Sequence, residues 1–215
     1  MSKNQEIDNI IFDLGGVLYR INYWETFSKM GTLLGIEMGQ NDIPDHINEI
    51  VRYYNAGLIR TETFLWKLQK EAKGTTPLPQ KLISAWNAML IGWEEGIFEF
   101  LLKIKSDYNL YLYSNINDLH FNHLIKEVNS LNLDFKLEDV FEGMAFSHQI
   151  NHVKPDVQAF KYVLNLYDVN PVKTLFIDDF QENVDGAINA GMLAVCHDNV
   201  KSIKENFFSY LELVC

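Results

Sequence analysis

The apolar positions of the chain keep two different rhythms. Asn9-Ile10-Ile11-Phe12 is a short unbroken run that stops at Asp13 and the glycine pair Gly15-Gly16. Such a run, bounded by a carboxylate and glycines, predicts a buried strand that ends in a sharp turn. The spacing then turns helical. Trp24, Phe27, Met30, Leu33 and Leu34 form one stripe, Ile47, Ile50, Val51 and Tyr54 a second. Thr61 to Leu68 opens a third after the break at Asn55-Ala56-Gly57, and Leu82, Trp86, Met89 and Leu90 complete a fourth beyond Thr76-Pro77-Leu78-Pro79. No strand is predicted in this stretch.

From about residue 95 helix and strand alternate. Ile97 to Lys105 reads as a helix, Leu110 to Tyr113 as a strand, Leu119 to Val128 as a helix and Val140 to Ser147 as an extended segment. Val157 to Leu166 is helical, Thr174 to Ile177 a strand, and Glu182 to Ala190 a short helix ended by Gly191, a C-cap signal. Leu193 to Cys196 is the last strong strand. Alternation of this kind predicts an α/β fold, with parallel strands joined by right-handed crossovers and helices on both faces of the sheet. Residues 1–20 and 91–215 would form this core, and 21–90 a helical insert.

The strand ends carry the chemistry. Asp13 closes the first strand, and Thr174-Leu175-Phe176-Ile177 runs into Asp178-Asp179, with Asn183, Asp185 and Gly186 after it. Open α/β sheets bind ligands at the carboxyl ends of their strands, so three acidic residues on that edge suit a hard divalent cation. An Asp after a strand can also simply cap the next helix. Leu110-Tyr111-Leu112-Tyr113 ends in Ser114-Asn115, and Lys154-Pro155-Asp156 precedes another helix. Taken alone, the first reads as a turn and the second as a helix start.

Composition narrows the possibilities. The 215 residues include 47% hydrophobic ones, enough for a sizeable core, so no long disordered region is expected. A net charge of −11 argues against nucleic acid or anionic lipid as the main partner, although a bound cation and one lysine can reverse the sign locally for a small anion. Cys196 and Cys215 set no disulfide framework and read as free thiols, Cys196 inside a buried strand. Met1-Ser2-Lys3-Asn4-Gln5 lacks the apolar core of a signal peptide, and no window is long and apolar enough to span a bilayer, so the expected location is the cytoplasm.

Asp, then Ser, then Lys, then Asp-Asp, each at an element boundary, resembles the ordered signature of the haloacid dehalogenase-like (HAD) hydrolases over nearly the whole chain. The resemblance implies a Rossmann-like core with a helical cap at residues 21–90, and a Mg²⁺-dependent phosphatase acting on a small phosphorylated metabolite, such as a sugar phosphate. Asp13 would be the nucleophile, forming an aspartyl-phosphate. Mg²⁺ would be held by the Asp13 carboxylate, the Gly15 carbonyl and Asp178, with Asp179 in support. Ser114 and backbone N–H groups of Gly15, Gly16 and Asn115 would bind the phosphoryl oxygens, and Lys154 would neutralise their charge.

Two positions depart from the family pattern. Asn151 stands where relatives often have Gly, and Asn tolerates a left-handed backbone. Gly15 stands where phosphatases of the family usually carry a second Asp that acts as general acid and base. Without it, substrates with good leaving groups are expected to be favoured, and His46 is the first candidate substitute. Tyr19, Arg20, Tyr23 and Trp24 follow the nucleophile turn and could reach substrate. His120 and His123 read as solvated surface. The alternatives are a haloacid dehalogenase, which needs no metal and does not keep the Asp-Asp pair, and a silent binding protein of the same fold.

Overall fold

A computed structural model of the chain describes residues 7–39 and 42–214. The N-terminal Met1 to Gln5 and Cys215, both considered above, lie outside the described residues. Among the described residues there are seven strands: β1 (Asn9–Phe12), β2 (Tyr19–Ile21), β3 (Leu90–Trp93), β4 (Asn109–Ser114), β5 (Gly143–Phe146), β6 (Thr174–Asp178) and β7 (Leu193–Cys196). Among the described residues four α-helices fall between β2 and β3, namely α1 (Tyr23–Leu34), α2 (Asp45–Asn55), α3 (Thr61–Glu71) and α4 (Pro79–Trp86). The remainder follow: α5 (Ile97–Ile104), α6 (Asp118–Ser130), α7 (Leu137–Val140), α8 (Ser147–Ile150), α9 (Val157–Leu166), α10 (Gln181–Asn189) and α11 (Ile203–Val214).

Five strands make a wholly parallel sheet in the order β5-β4-β1-β6-β7. Because side chains alternate across a strand, successive residues of β1 serve opposite faces. Ile10 and Phe12 join Leu110, Leu112, Leu175 and Ile177 beneath α5, α6 and α11. Ile11 joins Tyr111, Tyr113 and Phe176 beneath α9 and α10. Both faces are therefore covered, which is why β1 and β6 read as unbroken apolar runs. The expected α/β core is present, and its strands converge on one carboxyl edge.

Helices α1 to α4 bury their stripes in a separate cluster centred on Phe64, stacked on Tyr54 at 4.1 Å and edge-on to Trp86 at 5.0 Å. The chain leaves and re-enters the core through β2 and β3, an antiparallel ribbon pairing Tyr19 with Trp93 and Ile21 with Leu90. The sequence reading predicted no strand there. Three or four residues, one of them Gly92, are too few to show a period of two against a helical background. This ribbon lies outside the core sheet.

Two further differences concern the C-terminal third. Helix α11 was not predicted, yet it closes one face of the sheet with Ile203, Phe207, Tyr210 and Leu211. Cys196 is exposed rather than buried, because the last residue of β7 has already passed the edge of the core.

Phe207 is fully buried and meets Phe12 at 6.2 Å, Phe100 at 5.4 Å and Tyr108 at 5.9 Å. Truncation there opens a cavity directly under β1. Phe207→Ala should therefore cost about 3–5 kcal/mol of unfolding free energy, measured by urea denaturation. A loss below about 1 kcal/mol would show that α11 is not integral to the core.

Candidate active site

Asp13 follows β1 directly, and its N–H donates to the Ile177 carbonyl at 2.8 Å, so the β1–β6 ladder carries it to the edge of the sheet. Asp178 closes β6 in the next register position. Beyond Asp13 the chain turns within four residues, with Leu18 and Tyr19 both donating to the Leu14 carbonyl and Gly16 donating to that of Tyr19. Gly16 has φ +81°, and a Cβ there would lie 2.2 Å from Asp179 Oδ2. The turn thus needs glycine twice over, for its backbone and for the carboxylate packed on it.

Lys154 comes from the loop after α8 and is buried with its Nζ 2.5 Å from Asp13 Oδ1 and 2.6 Å from Asp178 Oδ2. It also donates to the Tyr113 carbonyl at 3.1 Å. Asn115 fixes the lysine backbone from both sides: its Nδ2 donates to the Lys154 carbonyl at 2.9 Å and its Oδ1 accepts from the Lys154 N–H at 3.0 Å. Asp178 Oδ1 accepts from the Phe180 N–H and from Asn183 Nδ2, each at 2.9 Å. Asp179 Oδ2 accepts from Asn199 Nδ2 at 3.3 Å, while its Oδ1 is buried and accepts no hydrogen bond from the described residues.

One ammonium thus faces three carboxylates. Burial, opposed by Lys154 and reinforced by Asp178 and Asp179, pushes Asp13 up to about 7. Burial and Asp178 push Asp179 up to about 6. Burial pulls on Lys154 as well, but the Asp13 and Asp178 carboxylates more than offset this and hold its ammonium above the usual lysine range. One oxygen from each of Asp13, Asp178 and Asp179 lies within 4.8 Å of the others. The surplus negative charge, the all-oxygen donor set and the orphaned Asp179 Oδ1 fit a hard divalent cation.

A cavity of about 320 Å³ opens over this cluster. Asp13, Gly15, Ser114, Asn115 and Lys154 form its floor, and Tyr23, Asn55 and Met89 roof it from the helical insert. The sequence-predicted residues Asp13, Gly15, Gly16, Ser114, Asn115, Lys154, Asp178 and Asp179 are therefore gathered at one edge of the sheet, around this cavity and the acidic cluster beneath it. Across Tyr23 and Phe180 lies a second cavity of about 580 Å³ that reaches Asp179 and Arg20. Trp24 is exposed and lines neither cavity; His46 lies on the insert against Glu71 at 3.4 Å and lines neither.

His120 is the clearest misreading. It is buried at the cavity wall, stacked on Trp86 at 5.2 Å, with Nε2 donating to the Trp86 carbonyl at 3.1 Å. Asn117 Nδ2 donates to His120 Nδ1 at 3.4 Å, and burial lowers the ring to about 4, so it stays neutral. Asn117 caps α6 by accepting from the His120 N–H, which marks the helix start in the sequence but not the burial of the ring. Asn55 was missed because it ends a helix of the insert. It reaches the site because Ser147 Oγ donates to its carbonyl at 2.6 Å and Asn117 Nδ2 to its Oδ1 at 2.9 Å.

The profile of the family described as haloacid dehalogenase-like hydrolase matches residues 7–191. The chain is 24% identical over 183 residues to a D-ribitol-5-phosphate phosphatase of Bacteroides thetaiotaomicron, covering 83% of this chain and 85% of that one. It is 25% identical over 190 residues to a sesquiterpene phosphatase of Aspergillus oryzae, covering 86% and 87%. A HAD family enzyme from Bacteroides thetaiotaomicron, solved with magnesium and inorganic phosphate, superposes with a TM-score of 0.79 at 26% identity, covering 94% of this chain and 99% of that one.

Asp13 and Asp179 both titrate above the ordinary aspartate value of 3.8, so the folded chain holds protons that the unfolded chain has released. Their stabilising contribution is complete below that value and is lost as pH rises through about 6 to about 7. Without divalent cations the melting temperature should fall across that window, and added Mg²⁺ should raise it more at pH 8 than at pH 5. A thermal shift independent of pH would contradict this arrangement of charge.

Proposed function

The chain belongs to the haloacid dehalogenase-like hydrolases, and we propose that it is a Mg²⁺-dependent phosphatase of small phosphorylated metabolites, of the sugar- or polyol-phosphate class. The observation that carries this reading is the buried Lys154 ammonium shared by Asp13 and Asp178, with the Asp179 Oδ1 left without a donor beside them. A metal-free dehalogenase has no use for the second carboxylate of the Asp178-Asp179 pair. Three acidic residues within reach of one another repel unless a cation joins them.

In this reading Asp13 is the nucleophile and attacks phosphorus, forming an aspartyl-phosphate that water then hydrolyses. Asp13, Asp178 and the Gly15 carbonyl would hold Mg²⁺, with Asp179 in support. When bound, the ion neutralises phosphoryl charge and orients the phosphate against the nucleophile. Ser114 and the N–H groups of Gly15 and Asn115 hydrogen-bond the transferring oxygens; the Gly16 N–H, expected from the sequence to join them, is engaged by the Tyr19 carbonyl inside the turn. Lys154 leaves its two aspartates part of its charge and gives the rest to the phosphate. Asn115 keeps it there, because both backbone polar groups of Lys154 are tied to that one side chain.

Residues 21–90 act as a cap that excludes water and selects the leaving group. A cavity of about 320 Å³ suits a short phosphorylated chain, and its wall mixes polar groups such as Asn55 and His120 with Met89 and Leu124. The polyol-phosphate reading also draws on the ribitol-phosphate phosphatase among the relatives.

Phosphate release from a panel of phosphorylated polyols, sugars and prenols, with Mg²⁺ or with EDTA, tests the proposal. Turnover of at least one substrate is expected, abolished by EDTA, restored by Mg²⁺ and reduced to background in Asp13→Asn. Activity that is indifferent to chelation would favour metal-free chemistry. Near wild-type turnover by Asp13→Asn would remove the nucleophile assignment.

A further inference from the structure

Gly15 leaves the site without the second aspartate, so a phosphatase built here must protonate its leaving group from elsewhere or take only groups that need no proton. Among the described residues, four titratable side chains line the active-site cavity besides Asp13 and Lys154: Tyr19, Tyr23, His120 and Glu182. Three are unsuited. The Tyr19 hydroxyl already donates to Glu127 Oε2 at 2.6 Å. Both ring nitrogens of His120 are engaged, by the Trp86 carbonyl and by Asn117 Nδ2. Glu182 is solvent-exposed in the first turn of α10, where water and not the closed cavity surrounds its carboxyl group.

Tyr23 differs on each point. It is the first residue of α1 and lines both cavities, and its hydroxyl makes no hydrogen bond with the described residues. Its ring is stacked along Phe27 at 6.5 Å and held edge-on to Phe180 at 6.2 Å. Phe180 follows Asp179 directly and donates its N–H to Asp178, so Tyr23 meets the acidic cluster through one neighbour. Burial, with the charges of Asp179, Asp13 and Asp178 added, holds the phenol well above the ordinary tyrosine range, which keeps it protonated.

We propose that the Tyr23 hydroxyl is the proton donor to the leaving-group oxygen, doing from the cap what the second aspartate does from the nucleophile loop in relatives. This rests on the phosphatase reading. As Asp13 forms its bond to phosphorus, the bond from phosphorus to the leaving oxygen breaks and its electron pair stays on that oxygen, which takes the phenolic proton. Because burial and the nearby carboxylates keep the phenol protonated, it gives up its proton only to a base as strong as the alkoxide formed in this step. Water attacking the phosphoaspartate then returns a proton to the phenolate, and free phosphate and the original Asp13 carboxylate are regenerated.

Tyr23→Phe keeps both ring contacts and removes only the hydroxyl. The test is kcat/KM of wild type, Tyr23→Phe and Glu182→Gln on an alkyl phosphate and on p-nitrophenyl phosphate, with inorganic phosphate affinity measured by calorimetry. Tyr23→Phe should lose about 100-fold on the alkyl ester and only about 3-fold on the aryl ester, with phosphate affinity unchanged. Glu182→Gln should show no loss that depends on the leaving group. Equal losses of Tyr23→Phe on both esters, no loss on either, or a leaving-group-dependent loss in Glu182→Gln would overturn the assignment. A wild type that releases phosphate from neither ester, while still binding phosphate, would overturn the phosphatase reading itself and this role with it.

Discussion

Three carboxylates meet where β1 and β6 end, and a single ammonium holds two of them together. Parallel pairing forces this: Phe12 is opposite Ile177, so the next residue on each strand is an aspartate, side by side and buried. Without Lys154 the two charges would push the most central strands of the sheet apart at the edge that must stay closed. The lysine has to arrive from the far side of β4, and its route explains much of the surrounding loop. Asn115 ties down its backbone, Asn151 takes a left-handed turn just before it, and Gly186 lets α10 approach the Pro155 carbonyl where a Cβ would lie only 2.4 Å away.

The same edge anchors the helical insert. Asn55, Ala56 and Gly57 reach down to the core, where Ser147 and Asn151 donate to the carbonyls of Asn55 and Ala56. Gly57, at φ +69°, is so close to the His148 carbonyl that a Cβ would lie 2.1 Å from it. Trp86 ties the other end, offering its carbonyl to Thr26 and His120 and its indole N–H to Asn117. Few of these contacts are apolar, and most are single hydrogen bonds worth about 0.5–1.5 kcal/mol each. The insert also keeps a hydrophobic core of its own around Phe64, with Leu119 of α6 and the stack of Trp86 on His120 packed at its edge.

Much of this was legible in the chain before any coordinates. Strands β1, β4, β6 and β7 show as apolar runs because their sheet is covered on both sides, and the catalytic edge shows because each run ends in a polar residue rather than fading into a loop. What stayed hidden has physical causes. The β2–β3 ribbon is short and pairs residues about 70 positions apart, which no local periodicity reports. His120 looked like surface because a histidine on a polar helix gives no sign that an indole from another helix covers it. Cys196 looked buried because hydrophobicity says where a strand lies, not where the core stops.

Gly15 joins these threads. A Cβ on it would come 3.1 Å from Ile21 Cδ1, close enough that the isoleucine would have to give by a few tenths of an ångström. Ile21 is the last residue of β2, so the space beside Gly15 is taken up by the ribbon that leads into the insert. Gly15 is thus packed against an apolar residue, and a side chain added there would require Ile21 to shift slightly. Two residues after Ile21 the chain delivers Tyr23 into the cavity. The turn that packs Gly15 against Ile21 is continuous with the segment that brings Tyr23 to the cavity, and the fold sets both with the same few residues.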